Sequence, residues 1–199
     1  THMNFAVEST TKRVGRSRRG LRAGICLLAI LGYVPGVATA QVASGPAAGT
    51  KVEPLKVVIA VGDDSGKESD LAEEQKGKPT VFVFVQADKW DRPVARFLRT
   101  LDVDLAKERT DVKIVAVWLT EDVTKSKDYL PKAQQSLKLT QTTWSVHPGD
   151  KGGPNGWGIN ADAHLTAIVV QENKVTASFG YRSVNETDVP AVIKELKPA

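Results

Sequence analysis

Residues 79–119 read PTVFVFVQADKWDRPVARFLRTLDVDLAKERTDVKIVAVWL, and the fold is decided inside that stretch. Val81 to Val85 (VFVFV) is apolar at consecutive positions rather than alternate ones. That is the pattern of a strand buried on both faces, near the centre of a sheet. Val94, Phe97, Leu98, Leu101 and Leu105 then recur at helical spacing, with Arg96, Arg99, Asp102 and Lys107 between them. Asp91 suits the N-cap of this helix and Pro93 its first turn, where a missing N–H costs nothing. Lys113 to Leu119 (KIVAVWL) is a second continuous apolar run. Strand, helix and strand of these lengths form a βαβ unit, which predicts two parallel strands.

Upstream, Leu55 to Val61 (LKVVIAV) reads as a strand ending in the turn residues Gly62-Asp63-Asp64-Ser65-Gly66, with a charged connector from Lys67 to Lys78. Downstream, Glu121 to Leu139 holds another helix, expected to begin near Tyr129 because Pro131 fits a first turn and would break an interior. Thr143 to Val146 is a short strand candidate. The stretch His147 to Asn160 (HPGDKGGPNGWGIN) carries five glycines and two prolines, so a long surface loop is expected, with Trp144 and Trp157 packing it down. His164 to Gln171 and Lys174 to Gly180 flank Glu172-Asn173, the signature of an antiparallel hairpin. Val189, Val192, Ile193 and Leu196 mark a closing helix started by Thr187 or Asp188, with Pro190 in its first turn. The fold class this predicts is α/β, a three-layer α/β/α sandwich with a central mixed β-sheet and helices on both faces.

The start of the chain has a different composition. Thr1-His2-Met3 looks like a vector remnant, and residues 4–40 have the three parts of a secretory signal. Lys12, Arg13, Arg16, Arg18, Arg19 and Arg22 form a basic region. Ala23 to Val37 is apolar but short, and Gly32, Pro35 and Gly36 interrupt it, which disfavours a membrane span. Ala38-Thr39-Ala40 fits a cleavage site. Residues 1–40 are therefore expected to be removed, leaving 41–51 as a flexible tether and 52–199 as the domain. Ser17-Arg18-Arg19-Gly20-Leu21-Arg22 resembles a twin-arginine signal. Either export route predicts a periplasmic or secreted protein of bacterial style, with no stable membrane insertion once the signal is gone.

Cleavage changes two properties at once. The only cysteine, Cys26, lies in the apolar segment and would be lost. The formal charge of +4 would also change: 27 basic and 23 acidic residues, less six Lys/Arg and Glu8, leave 21 against 22, a net charge of −1. A nucleic-acid partner is not expected, because affinity for phosphates rests on an excess of Lys and Arg. Thiol catalysis, disulfides and cysteine-ligated metals are excluded for the cleaved form.

Gly77-Lys78-Pro79-Thr80-Val81-Phe82-Val83-Phe84 resembles the stretch that leads to the active site in peroxiredoxin and redoxin proteins of the thioredoxin-like superfamily. Leu165 to Val170, followed by Glu172-Asn173-Lys174-Val175, resembles their later hairpin. The resemblance covers about residues 55–197 in order and pattern, and it implies a thioredoxin-like sandwich. It also implies that reactive cysteines should follow the central strand, at the start of the first long helix, with a cis-proline before the hairpin strand. Here the first position reads Gln86-Ala87-Asp88-Lys89-Trp90-Asp91-Arg92-Pro93 and the second Ala163-His164-Leu165. Both parts of the thiol site are replaced.

The vacated position is the candidate binding site: Asp88, Lys89, Trp90, Asp91 and Arg92 as a polar and aromatic recognition surface, at the end of a parallel strand where function tends to sit. Asp91 has a plainer reading as an ordinary cap, which would leave little room for an external anion. His147 and His164, near Asp150 and Asp162, are weak metal candidates, since their spacing fits no tight ligand motif. Residues 149–158 are glycine-rich but carry no phosphate-binding fingerprint, and neither histidine has a nucleophile-elbow context. Asp63-Asp64 and Glu73-Glu74 lie in turn or connector segments, where solvated carboxylates are expected. The sequence therefore predicts an exported, redox-inactive domain, with no cofactor and no catalytic residue, that binds an envelope protein or peptide. Two alternatives stand beside it: a non-thiol enzyme or metal-binding protein reusing the same cleft, and a structural domain with no ligand.

Overall fold

The computed structural model describes residues 41–196. The readings on the signal, its cleavage site and Cys26 lie outside the described residues. Among the described residues eight strands form one sheet: β1 (Gln41–Val42), β2 (Lys56–Ile59), β3 (Glu68–Asp70), β4 (Thr80–Gln86), β5 (Lys113–Thr120), β6 (Thr142–Pro148), β7 (Leu165–Gln171) and β8 (Lys174–Tyr181). Their order across the sheet is β1-β8-β7-β4-β5-β6-β2-β3. The helices are α1 (Leu71–Glu74), α2 (Arg92–Glu108), α3 (Val123–Leu137) and α4 (Val189–Lys194).

The predicted βαβ unit is present. β4 and β5 pair in parallel from Thr80↔Lys113 to Gln86↔Leu119, and β6 extends the parallel block beside β5. β7 joins the other side of β4 antiparallel and turns into β8 through Glu172 and Asn173, both at positive φ (52° and 60°). That is the conformation a two-residue hairpin turn demands.

Consecutive apolar residues on the central strands serve two cores. Val81, Val83 and Val85 of β4 join Val94, Phe97, Leu98 and Leu101 of α2, with Leu130 of α3 and Val189 and Val192 of α4. Phe82 and Phe84 point the other way, into a cluster with Val115, Val117, Trp157 and Ile159. Each fully buried side chain of this size stabilises the fold by about 1.5–3 kcal/mol before entropy is counted.

The two outer layers are unequal. The crossovers β4-α2-β5 and β5-α3-β6 step the same way across the sheet, so right-handed connections put both helices on one face. The opposite face carries the one-turn α1, anchored by buried Leu71, and irregular chain around Trp157. Trp157 stacks edge-on to Phe82 at 5.0 Å, and its indole N–H donates to the Pro54 carbonyl at 3.1 Å. The glycine-rich segment is thus pinned by Trp157 but not by Trp144, which is buried on the helical side.

Three further expectations are corrected. Residues 41–51 are not a tether. β1 pairs with β8, the Gly49 amide donates to the Val175 carbonyl at 2.8 Å, and buried Ser44 Oγ lies 2.6 Å from Thr166 Oγ1. The connector 67–78 contains β3 and α1, with Asp70 accepting both the Leu55 amide (2.9 Å) and the Glu73 amide (3.2 Å). Finally, α3 starts at Val123, not near Tyr129, and holds Pro131 in its interior. Asp122 caps it by accepting the Lys125 amide at 2.9 Å. Pro131 is exposed, so water can satisfy the carbonyl one turn earlier that loses its partner.

Candidate functional site

β4 ends at Gln86, whose burial leaves 2% of it exposed. Its backbone amide donates to the His164 carbonyl at 3.1 Å, and its side-chain amide donates to the Lys151 carbonyl at 2.7 Å. The chain then makes a 3₁₀ turn, Ala87–Lys89, passes Trp90, and enters α2. Asp91 is extended and its carboxylate accepts the Val94 amide at 2.9 Å, with Pro93 in the first turn. The positive end of α2 is filled from within, as the plainer reading of Asp91 expects.

Trp90 turns inward. Its ring lies 5.1 Å from Trp118 of β5 and 5.9 Å from Trp144 of β6, both edge-on. Trp118 in turn lies 6.0 Å from Tyr129 of α3. The Trp90 indole N–H donates to the Tyr129 phenol oxygen at 2.7 Å, so one hydrogen bond bridges the turn after β4 and the helix after β5. Beside that bridge lies a cleft of about 450 Å³. Ala87, Asp88 and Trp90 form one wall, and Asp122, Lys125, Ser126 and Tyr129 form the other. Trp118 and Thr120 form the floor. It opens at the C-terminal ends of parallel strands, where α/β sheets place their ligands.

Of the five candidate residues, only Asp88 and Trp90 line this cleft. Asp91 is the cap, while Lys89 and Arg92 are exposed and do not line it. Asp88 is ion-paired with Lys151, which comes from the glycine-rich segment. The hydrogen bond from the Lys151 ammonium, more than its charge alone, holds the Asp88 carboxyl below the usual carboxylate range. Sequence reasoning missed Trp118, Tyr129 and Lys151. Trp118 was readable as the aromatic ending of the neighbouring strand; Tyr129 was hidden by the misplaced start of α3.

The two histidines are not brought together. His147 pairs with Leu119, Leu119 with Gln86, and Gln86 bonds to His164, so the four residues form one row across the sheet. Three strand spacings separate the histidines by about 14 Å, too far to share one ion. Asp150 accepts the Gly152 amide and Asp162 pairs with Arg182 at 2.7 Å. Among the described residues no group of three or more potential metal ligands is assembled.

No family model matches the sequence, and no curated protein matches it. Solved structures do match in shape. The chain is similar to a putative thiol:disulfide interchange protein DsbE from Chlorobium tepidum, at 18% identity and a TM-score of 0.57, over 75% of this chain and 94% of that one. It is similar to a DsbF homologue from Corynebacterium diphtheriae, at 19% identity and 0.56, over 81% and 96%. It is also similar to a thiol peroxidase from Chromobacterium violaceum, at 16% identity and 0.57, over 77% and 87%. The fold is thioredoxin-like. Identities this low carry the fold and no activity. The one cysteine of this thioredoxin-like chain, Cys26, lies before the described residues, so an active-site pair is lacking.

Proposed function

We propose that the protein is an exported, redox-inactive thioredoxin-like domain that binds another protein or a peptide of the cell envelope at the vacated thiol position. One observation carries this reading: where redoxins are expected to hold their thiols, the chain builds an open aromatic cleft bridged by Trp90 and Tyr129. Such surfaces, partly apolar with a few fixed polar groups, are suited to recognition. Export rests on the basic, apolar and small-residue pattern of residues 4–40. No helix among the described residues is long and apolar enough to cross a membrane.

The test is capture from envelope extract with the protein and with a variant carrying Asp88→Ala, Trp90→Ala and Tyr129→Ala, shown to be folded by circular dichroism. The reading expects a partner retained by the first and lost from the second. A partner held equally by both would overturn this site. Insulin-reduction and peroxide-consumption assays should show no turnover, and thiol-dependent turnover would overturn the redox-inactive part.

A further inference from the structure

Deepening the binding role just proposed, and resting on it, we propose that the cleft takes one basic side chain, arginine or lysine, from an extended segment of the partner, and that this side chain replaces Lys151 on Asp88. The cleft already holds such a cation. Lys151 belongs to neither wall; it reaches in from the glycine-rich segment and places its ammonium on Asp88 at the cleft mouth. Both side chains of that pair stay about half exposed (52% and 47%), so water and salt weaken it and an incoming cation can displace it. Next to Asp88 stand the rings of Trp90 and Tyr129, the latter 41% exposed. An arginine plane or a lysine stem can lie on these faces while its charge meets the carboxylate.

Charge limits the ligand to a single cation. Asp88 and Asp122 face Lys125 and Lys151, with Lys89 also close to Asp88, and exchange of Lys151 for a ligand cation leaves the local charge unchanged. A second adjacent cation would find Lys125 instead of a carboxylate. Strand addition is not available here, because β4 is paired on both sides by β5 and β7, and β5 by β4 and β6. Side chains must therefore carry the recognition.

The sign of the Lys151 effect separates this proposal from a structural role for the ion pair. A short N-acetylated, C-amidated peptide with one central arginine among glycine and serine is titrated into the protein, with the Trp90 indole resonance followed by NMR. The same peptide with citrulline, which keeps the shape and removes the charge, is the comparison. Binding of the arginine peptide is expected to be at least about ten-fold tighter than that of the citrulline peptide. Lys151→Ala, which removes the internal competitor, should tighten it about two- to five-fold, and Asp88→Asn should weaken it about ten-fold. Thermal unfolding of each variant confirms that it is folded.

Equal binding of the two peptides, no binding of either, or weaker binding by Lys151→Ala overturns the proposal. Any of these alongside loss of the captured partner from the triple variant leaves the interaction surface standing with a different ligand chemistry. Retention of that partner by the triple variant removes the surface itself.

Discussion

Tyr181 is fully buried, yet its hydroxyl has no hydrogen-bond partner among the described residues. Its ring stacks on Phe179 and meets Phe97 at 6.1 Å, which accounts for an aromatic here but not for the oxygen. Burial, with the nearby Asp188 carboxylate as the smaller cause, raises the phenol above its ordinary value. The folded state therefore keeps the proton while the unfolded chain releases it near pH 10. Stability carried by this group is complete below that pH and falls as pH rises toward the folded-state value. Tyr181→Phe removes an unpartnered hydroxyl and should stabilise the protein by about 1 kcal/mol at pH 7. The advantage should widen above pH 10. Urea denaturation of both proteins at pH 7 and 10.5 checks both signs. A contrasting residue is Asp102, also buried, whose carboxylate accepts the amides of Thr140 and Gln141 (both 2.9 Å) and the hydroxyl of Thr142 at 2.7 Å. In the sequence it passes for a solvent-facing residue of α2, because its partners lie about forty positions away and leave no trace in local periodicity.

α2 and α3 show which kinds of element were legible. α2 announces itself: Asp91 caps, Pro93 follows, and the apolar stripe runs unbroken to Leu105. α3 has a sparse stripe, with Ser126, Leu130 and Ala133 as its buried residues, and a proline in the middle. Reading Pro131 as a start was reasonable from local cost, but packing of Leu130 and the Asp122 cap override it. The error reached the candidate site, because Tyr129 is a cleft wall only when α3 extends back to Asp122. β3 and α1 were missed for a different reason: at three and four residues they are too short to display any period. The cost of Pro131 should be recoverable. Pro131→Ala restores a backbone donor at an exposed position and should raise stability by about 1–3 kcal/mol. Tyr129, the acceptor of the bridge from Trp90, lies on the same helix, so the indole resonance of Trp90 should stay in place if α3 is straight there. A change in that resonance would mean that the proline sets the shape of the cleft.

At the scale of the whole molecule, the central strands and the closing hairpin were legible because each carries its own pattern. The N-terminal strap was not. QVASGPAAGT is small and unpatterned, and its structure comes from distant partners: Thr166 beneath Ser44, the Gly158 carbonyl above the Gly45 amide, and Ser178 beside Pro46. The strap covers the edge of β8, an eight-residue strand that would otherwise present unpaired backbone groups to other chains. At the opposite edge β3 is three residues long with two carboxylates, a poor template for pairing. Protection of the long edge depends on Gly180. A methyl group there would sit 2.4 Å from the Val42 carbonyl oxygen and 2.5 Å from Ser44 Cβ, so backbone must move. Gly180→Ala should therefore lift residues 41–45, at a cost of about 1–3 kcal/mol, while β7 and β4 remain paired beneath. Hydrogen exchange should speed up first in the strap and at Asn160, whose amide donates to Ser44 Oγ at 2.9 Å. Sedimentation should then show concentration-dependent association, because the uncovered β8 edge is free to pair with a second chain. Fast exchange in a protein that stays monomeric would mean that the strap is an independent layer, and that β8 is protected by its own twist and side chains.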